Sequence, residues 1–171
     1  IFTLLFCLGL LCFIKSLSQA NYLILSAPIF GLSLCTYFSA RVFVPLFIIC
    51  LVVIYRNHLW RIRTQTIIAS AIFIIAFVFV LQFSLSPAGM ARARAVGIIN
   101  NPVEFFQNYF SYFSPNFLFL HGDPNLRHST QKLGELHLFE IITVLTGIIL
   151  IVKQRRKEHQ LLLCWLVLYP M

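Results

Sequence analysis

The chain has 171 residues, 60% of them hydrophobic and only 11% charged, with a formal net charge of +8. A soluble domain carries roughly 25% charged residues, so this composition has too little polar surface to cover a water-soluble globule. The apolar residues also come in blocks long enough to cross a bilayer, which takes about 20 residues of helix, so a membrane protein is indicated and a soluble domain excluded.

Residues 1–14 form the tail of a first span, and residues 15–21 a short polar link. The apolar stretch over residues 22–55 is too long for one crossing. At 1.5 Å per residue it would measure about 50 Å, against a hydrocarbon core of about 30 Å. An arginine at the bilayer centre costs about 2.5–3.5 kcal/mol on insertion scales. The stretch therefore breaks at Ser39, Ala40 and Arg41, leaving two shortish spans over residues 21–39 and 42–55. Residues 56–63 follow as a short basic loop with an interfacial tryptophan, Trp60. Residues 64–83 are a full-length span without charge, and residues 84–136 a long polar loop. A further span over residues 137–152 leads to the basic cluster at residues 153–157 and to a last span from near Gln160.

The fold expected is thus all-α and integral to the membrane: a multi-pass helix bundle of about six spans with one long outer loop. The chain opens on Ile1 and stops at Met171, each within an apolar run. Residues 1–171 are therefore expected to be a fragment of a single transmembrane domain, with its first and last spans truncated.

Orientation follows from the lysines and arginines. The basic clusters at residues 56–63 and 153–157 are separated by two spans and share a side, the cytoplasm by the positive-inside rule. Lys15 falls on the same side, and Arg41 and the long loop on the other. The positive excess is thus a topogenic signal and gives no reason to invoke nucleic acid. All five cysteines sit inside apolar blocks, where a disulfide framework or a cysteine metal site would not place them.

Inside the outer loop, Asn101, Pro102 and Glu104 spell a helix start: an N-cap, proline at the first position, glutamate at the third. Phe106, Tyr109, Phe110 and Phe113 then recur at helical spacing, the pattern of a helix lying in the membrane interface. Further on, His121, Asp123, Asn125, Arg127 and His128 form the densest polar group, with Gly122 and Pro124 favouring a tight turn. Such residues can bind a divalent metal, shuttle protons or clamp a phosphate. Their spacing matches no metal-ligand motif, and a hydrated surface turn is the plainer reading.

Arg41, with Tyr37 one turn before it, is placed to hold a lipid phosphate at headgroup depth and to stabilise charge on a departing phosphate. Interfacial anchoring by snorkelling is the competing role. Glu140, near His137 and Glu135, lies in the first turn of a span, where an ionisable group is functional by default but is also favoured by the helix dipole. Arg92 and Arg94 are lesser candidates for an anionic substrate. Gly31 and Gly147 look like helix-packing positions.

Two passages bear a resemblance. Gly31-Leu-Ser-Leu-Cys-Thr-Tyr-Phe-Ser-Ala-Arg41, followed by Val42-Phe-Val-Pro45, resembles a passage of bacterial polyprenyl-phosphate-dependent glycosyltransferases of the GT-C superfamily. These are membrane enzymes related to protein O-mannosyltransferases and aminoarabinose transferases. Tyr109-Phe-Ser-Tyr-Phe-Ser-Pro-Asn-Phe-Leu-Phe-Leu-His-Gly-Asp-Pro-Asn-Leu-Arg-His128 is similar to the long outer loop of the same group.

The resemblance implies transfer of a sugar from a polyprenyl-phosphate carrier to a lipid, glycan or protein acceptor, with inversion. The reaction would take place on the outer face of the bacterial plasma membrane, in the service of the cell envelope. It implies a phosphate-binding role for Arg41 and Tyr37. It gives the segment containing His121, Asp123, Asn125, Arg127 and His128 a place in the wall of the substrate pocket. The family's catalytic aspartate sits in a first outer loop that this chain does not include, so no catalytic base is assigned and the piece alone is expected to be inactive. The partners implied are membrane lipids, the sugar donor and the acceptor; a divalent metal is compatible but not called for. A multi-pass transporter or flippase is the alternative, although the broken midplane helices and inverted repeats of such proteins are not evident.

Overall fold

The computed structural model describes residues 1–87, 89–91, 101–125, 131–154 and 156–170. Its described residues are helical, without a strand, as the apolar periodicity predicts. The chain folds as two compact units, over residues 1–97 and 98–170.

The first unit holds α1 (Phe2–Ser16), α2 (Asn21–Leu34), α3 (Ala40–Ile54), α4 (Arg56–Arg61) and α5 (Arg63–Leu85). Its core is a knot of phenylalanines. Phe6 of α1 meets Phe30 of α2 at 5.7 Å between ring centroids, and Phe43 and Phe47 of α3 at 5.2 and 5.1 Å. The Phe6 pairs with Phe43 and Phe47 are edge-on, the arrangement ring quadrupoles favour. Close backbone approach completes the packing. A Cβ on Gly9 would fall 2.9 Å from the Phe30 ring, and one on Gly31 would fall 2.9 Å from Ala76 Cβ. Gly31 is therefore a packing position, where α2 crosses α5. Ser16, Ser26 and Ser33 are buried at no polar cost, because each hydroxyl donates to the carbonyl three residues earlier at 2.6–2.7 Å.

The break in the long apolar stretch comes at residues 35–39, a little ahead of the expected point, and Arg41 lies inside the first turn of α3. The segment read as a basic loop contains the short helix α4 instead. Thr66 Oγ1 lies 3.0 Å from the carbonyl oxygens of both Leu59 and Ile62, and so ties the end of α4 to α5. Pro28 and Pro45 lie within α2 and α3, which continue through them.

Among the described residues one helix, α5, is long and apolar enough to cross a membrane: 23 residues, with an 18-residue window at a mean hydropathy of 2.6. It spans about 34 Å at the helical rise. It contains neither glycine nor proline, and it stops at Ser86, held extended ahead of Pro87. α1, α2 and α3 are apolar but have 15, 14 and 15 residues.

Contacts along the bundle fix which ends lie together. Phe13 packs edge-on against Tyr55 at 5.4 Å, whereas Arg41 at the start of α3 reaches Ser84 at the end of α5. Lys15, Arg56, Arg61 and Arg63 therefore cluster at one end of the first unit and Arg41 stands at the other.

The second unit contains α6 (Pro102–Ser111), a π-helical turn (Asn116–Leu120), α7 (Glu140–Gln154) and α8 (Lys157–Leu168). The N-cap is as expected: Asn101 Oδ1 accepts from the Val103 N–H at 3.0 Å, with Pro102 in the first turn. α6 ends two residues before Phe113, and its aromatic side chains form two rows. Phe105, Tyr109 and Phe113 make one, Phe106 and Phe110 the other. The Tyr109 hydroxyl donates to the Val167 carbonyl at 2.7 Å, pinning α6 to α8. Gly147 has no packing partner among the described residues: a Cβ there would meet nothing within 4 Å.

Candidate functional site

In the first unit, the link between α2 and α3, the first turn of α3 and the last turn of α5 border a half-open pocket of about 220 Å³ with mixed polar and apolar walls. Thr36, Tyr37, Phe38, Arg41, Phe83 and Gly89 line it. Each wall has a local cause. Thr36 Oγ1 donates to the Ser33 carbonyl at 2.7 Å and so caps the end of α2, turning the chain toward Tyr37. Gly89 closes the opposite side, where the chain folds back over α5. A Cβ there would fall 2.4 Å from the Phe83 carbonyl oxygen, so only glycine fits.

Arg41 is held but not neutralised. Its Nη1 donates to Ser84 Oγ at 2.9 Å, and the Ser84 hydroxyl in turn donates to the Val80 carbonyl at 2.6 Å. The guanidinium also lies over the Phe38 ring, 5.2 Å from its centroid. Its Nε is buried and has no hydrogen-bond partner among the described residues. An arginine is always charged, and the sequence contains no aspartate or glutamate before Glu104. The first unit therefore supplies no carboxylate to this cation. A fixed guanidinium with a spare donor, beside a pocket, is suited to an anion with planar or tetrahedral oxygens. Tyr37, largely exposed, lines the same pocket. Ser84 and Gly89 carried no sequence signal: one looks like the first residue of a loop, the other like an ordinary loop glycine.

In the second unit the polar turn is organised by its own side chains. His121 Nδ1 lies 2.6 Å from Asn116 Oδ1. Asp123 Oδ1 accepts from the Asn125 N–H at 2.8 Å, closing the tight turn that Asp-Pro pairs favour. Gly122 takes φ 73°, a conformation glycine adopts without strain. Glu135 Oε1 accepts from the Asp123 N–H at 3.3 Å, fastening the turn from the far side. His121, Asp123 and Asn125 are thus brought together, while Arg127 and His128 lie outside the described residues, as do Arg92 and Arg94. Among the described residues no group of three histidine, cysteine, aspartate or glutamate side chains is close enough to hold a metal ion.

Glu140 has a structural task. Its Oε2 accepts from the His137 N–H at 2.6 Å, in the manner of a capping-box carboxylate, so it starts α7. No protein family, curated protein or solved structure matches this chain.

Proposed function

We propose that this chain belongs to a multi-pass membrane glycosyltransferase that moves a sugar from a polyprenyl-phosphate carrier to an acceptor on the extracytoplasmic face. The observation that carries the proposal is Arg41: a cation with no carboxylate in its own unit, lining a pocket together with Tyr37. In that reading the Arg41 guanidinium and the Tyr37 hydroxyl receive the lipid-linked phosphate and offset the negative charge that grows on it as the sugar leaves. Ser84 and the Phe38 ring hold the guanidinium in place. His121, Asp123 and Asn125 contribute a preformed turn to the substrate wall. No residue of this chain is assigned as the proton acceptor.

The membrane setting draws on two further features. α5 has the length and apolarity of a span, and only 11% of its most apolar window is buried within the fold. The segregation of Lys15, Arg56, Arg61 and Arg63 from Arg41 matches the charge asymmetry of a protein whose basic end faces the cytoplasm. The shorter α1, α2 and α3 would cross with it as one bundle, their polar ends drawn toward the headgroups.

Replacing Arg41 tests the proposal. In the full-length protein of which this chain is a part, reconstituted in membranes, Arg41→Ala is expected to lower transfer from a polyprenyl-phosphate-sugar donor by about 100-fold or more, the scale for loss of one preorganised charge donor. Expression and thermal midpoint should hold. Unchanged turnover would remove Arg41 from the reaction.

A further inference from the structure

At the opposite end of the first unit lies a second cavity, of about 230 Å³, with almost wholly apolar walls. Phe13, Leu23, Leu51, Leu59, Thr66 and Ser70 are among its lining residues, drawn from all five helices of the unit. Walls of this kind exclude water and suit a hydrocarbon chain.

The surroundings say which hydrocarbon. Arg56 stands one helical turn before Leu59, and Arg63 one turn before Thr66, so each shares a face with a lining residue. Lys15 and Arg61 lie at the same end, and no acidic residue precedes Glu104. On the same short helix, His58 Nε2 is buried without a hydrogen-bond partner among the described residues. Arg63 is already ordered, its guanidinium 4.4 Å from the centroid of the Trp60 ring. We infer that this end of the bundle binds an anionic phospholipid, with an acyl chain in the cavity and the phosphate on Arg56 and Arg63. The inference rests on the membrane setting proposed above but not on sugar transfer, and the lipid concerned is a component of the leaflet at the basic end.

Trp60 supplies the readout. Trp165→Phe leaves it as the remaining tryptophan of the two in the chain. In detergent, the full chain with this substitution is titrated with brominated phosphatidylglycerol and brominated phosphatidylcholine of equal chain length. Quenching of Trp60 is expected to show tighter binding of the anionic lipid, on the order of thirtyfold for two arginines near a phosphate. Arg56→Gln with Arg63→Gln should erase that preference and leave dependence on chain length. Ser70→Phe, which narrows the cavity, should weaken both lipids alike. A series of shortened acyl chains on the unmodified cavity gives the same information without a variant that could misfold: affinity should fall with each methylene removed, and glycerol phosphate alone should not compete.

Equal affinity for the two headgroups, a preference that survives the double arginine variant, or indifference to chain length would each overturn the inference. Arg41→Ala should leave the lipid preference unchanged, so a failure here is separable from a failure of the proposed reaction.

Discussion

The two units of this chain are stabilised by different physics. The first has no carboxylate and a continuous buried core in which Phe6, Phe47, Leu34 and Val44 are 0–1% exposed. The second contains all five acidic residues, while Leu161 and Leu168 are its only buried large apolar side chains among those described. Its order comes from side chains that satisfy the backbone: Asn101 on α6, Asp123 and Glu135 at the polar turn, Glu140 at α7. Packing tolerates little change in volume, whereas caps and turns are local and individually modest. The contrast teaches where a substitution will be felt throughout a unit and where it will stay within one turn.

Phe6→Ala should break the comparison most visibly. Removing a fully buried ring that joins α1, α2 and α3 is expected to cost about 3–5 kcal/mol. Hydrogen exchange should then show α1 to α3 losing protection together while α7 keeps its own. Equal loss in both units would mean that they do not fold independently. Asn101→Ala is expected to cost about 1 kcal/mol through the lost cap. Faster exchange should be confined to the first turn of α6; an effect reaching α1 or α2 would contradict the local character assigned to the second unit.

The finest test uses one residue type in both places. Gly147→Ala should stabilise α7 by about 0.5–1 kcal/mol, because alanine favours helix over glycine and no neighbour resists the new methyl group. Gly31→Ala gains the same helix propensity but forces a methyl 2.9 Å from Ala76 Cβ, so its net effect should be destabilising. Paired thermal midpoints of the two variants check the opposite signs.

Several elements were legible without coordinates. The Asn101 cap, the apolar run that became α5 and the break before α3 were all marked by local sequence: a capping side chain, an uninterrupted apolar run, and an apolar stretch interrupted by small and charged residues. The aromatic face of α6 was half legible. The 3.6-residue period picked out Phe106, Tyr109, Phe110 and Phe113 but passed over Phe105, whose ring joins the row through Tyr109. The basic loop at residues 56–63 was misread because a six-residue helix has too few turns to show a period. Gly147 meets no neighbour among the described residues, and a glycine within an apolar helix looks the same whether or not another helix passes it.

From its sequence alone this protein is committed to helices, to a strongly apolar composition, and to a charge pattern with its acids confined to the second half. Composition and periodicity are sums over neighbours along the chain, and those properties need nothing more. What the tertiary structure decided is which distant residues share an environment. It set Ser84 beside Arg41, laid Gly89 over the end of α5, and left the Arg41 Nε buried without a partner. The bonds that Glu140 makes as a helix cap and Asp123 within its turn are, by contrast, local, three and two positions along the chain. The pairing of Arg41 with Ser84 joins residues 43 positions apart, a separation that local pattern does not encode.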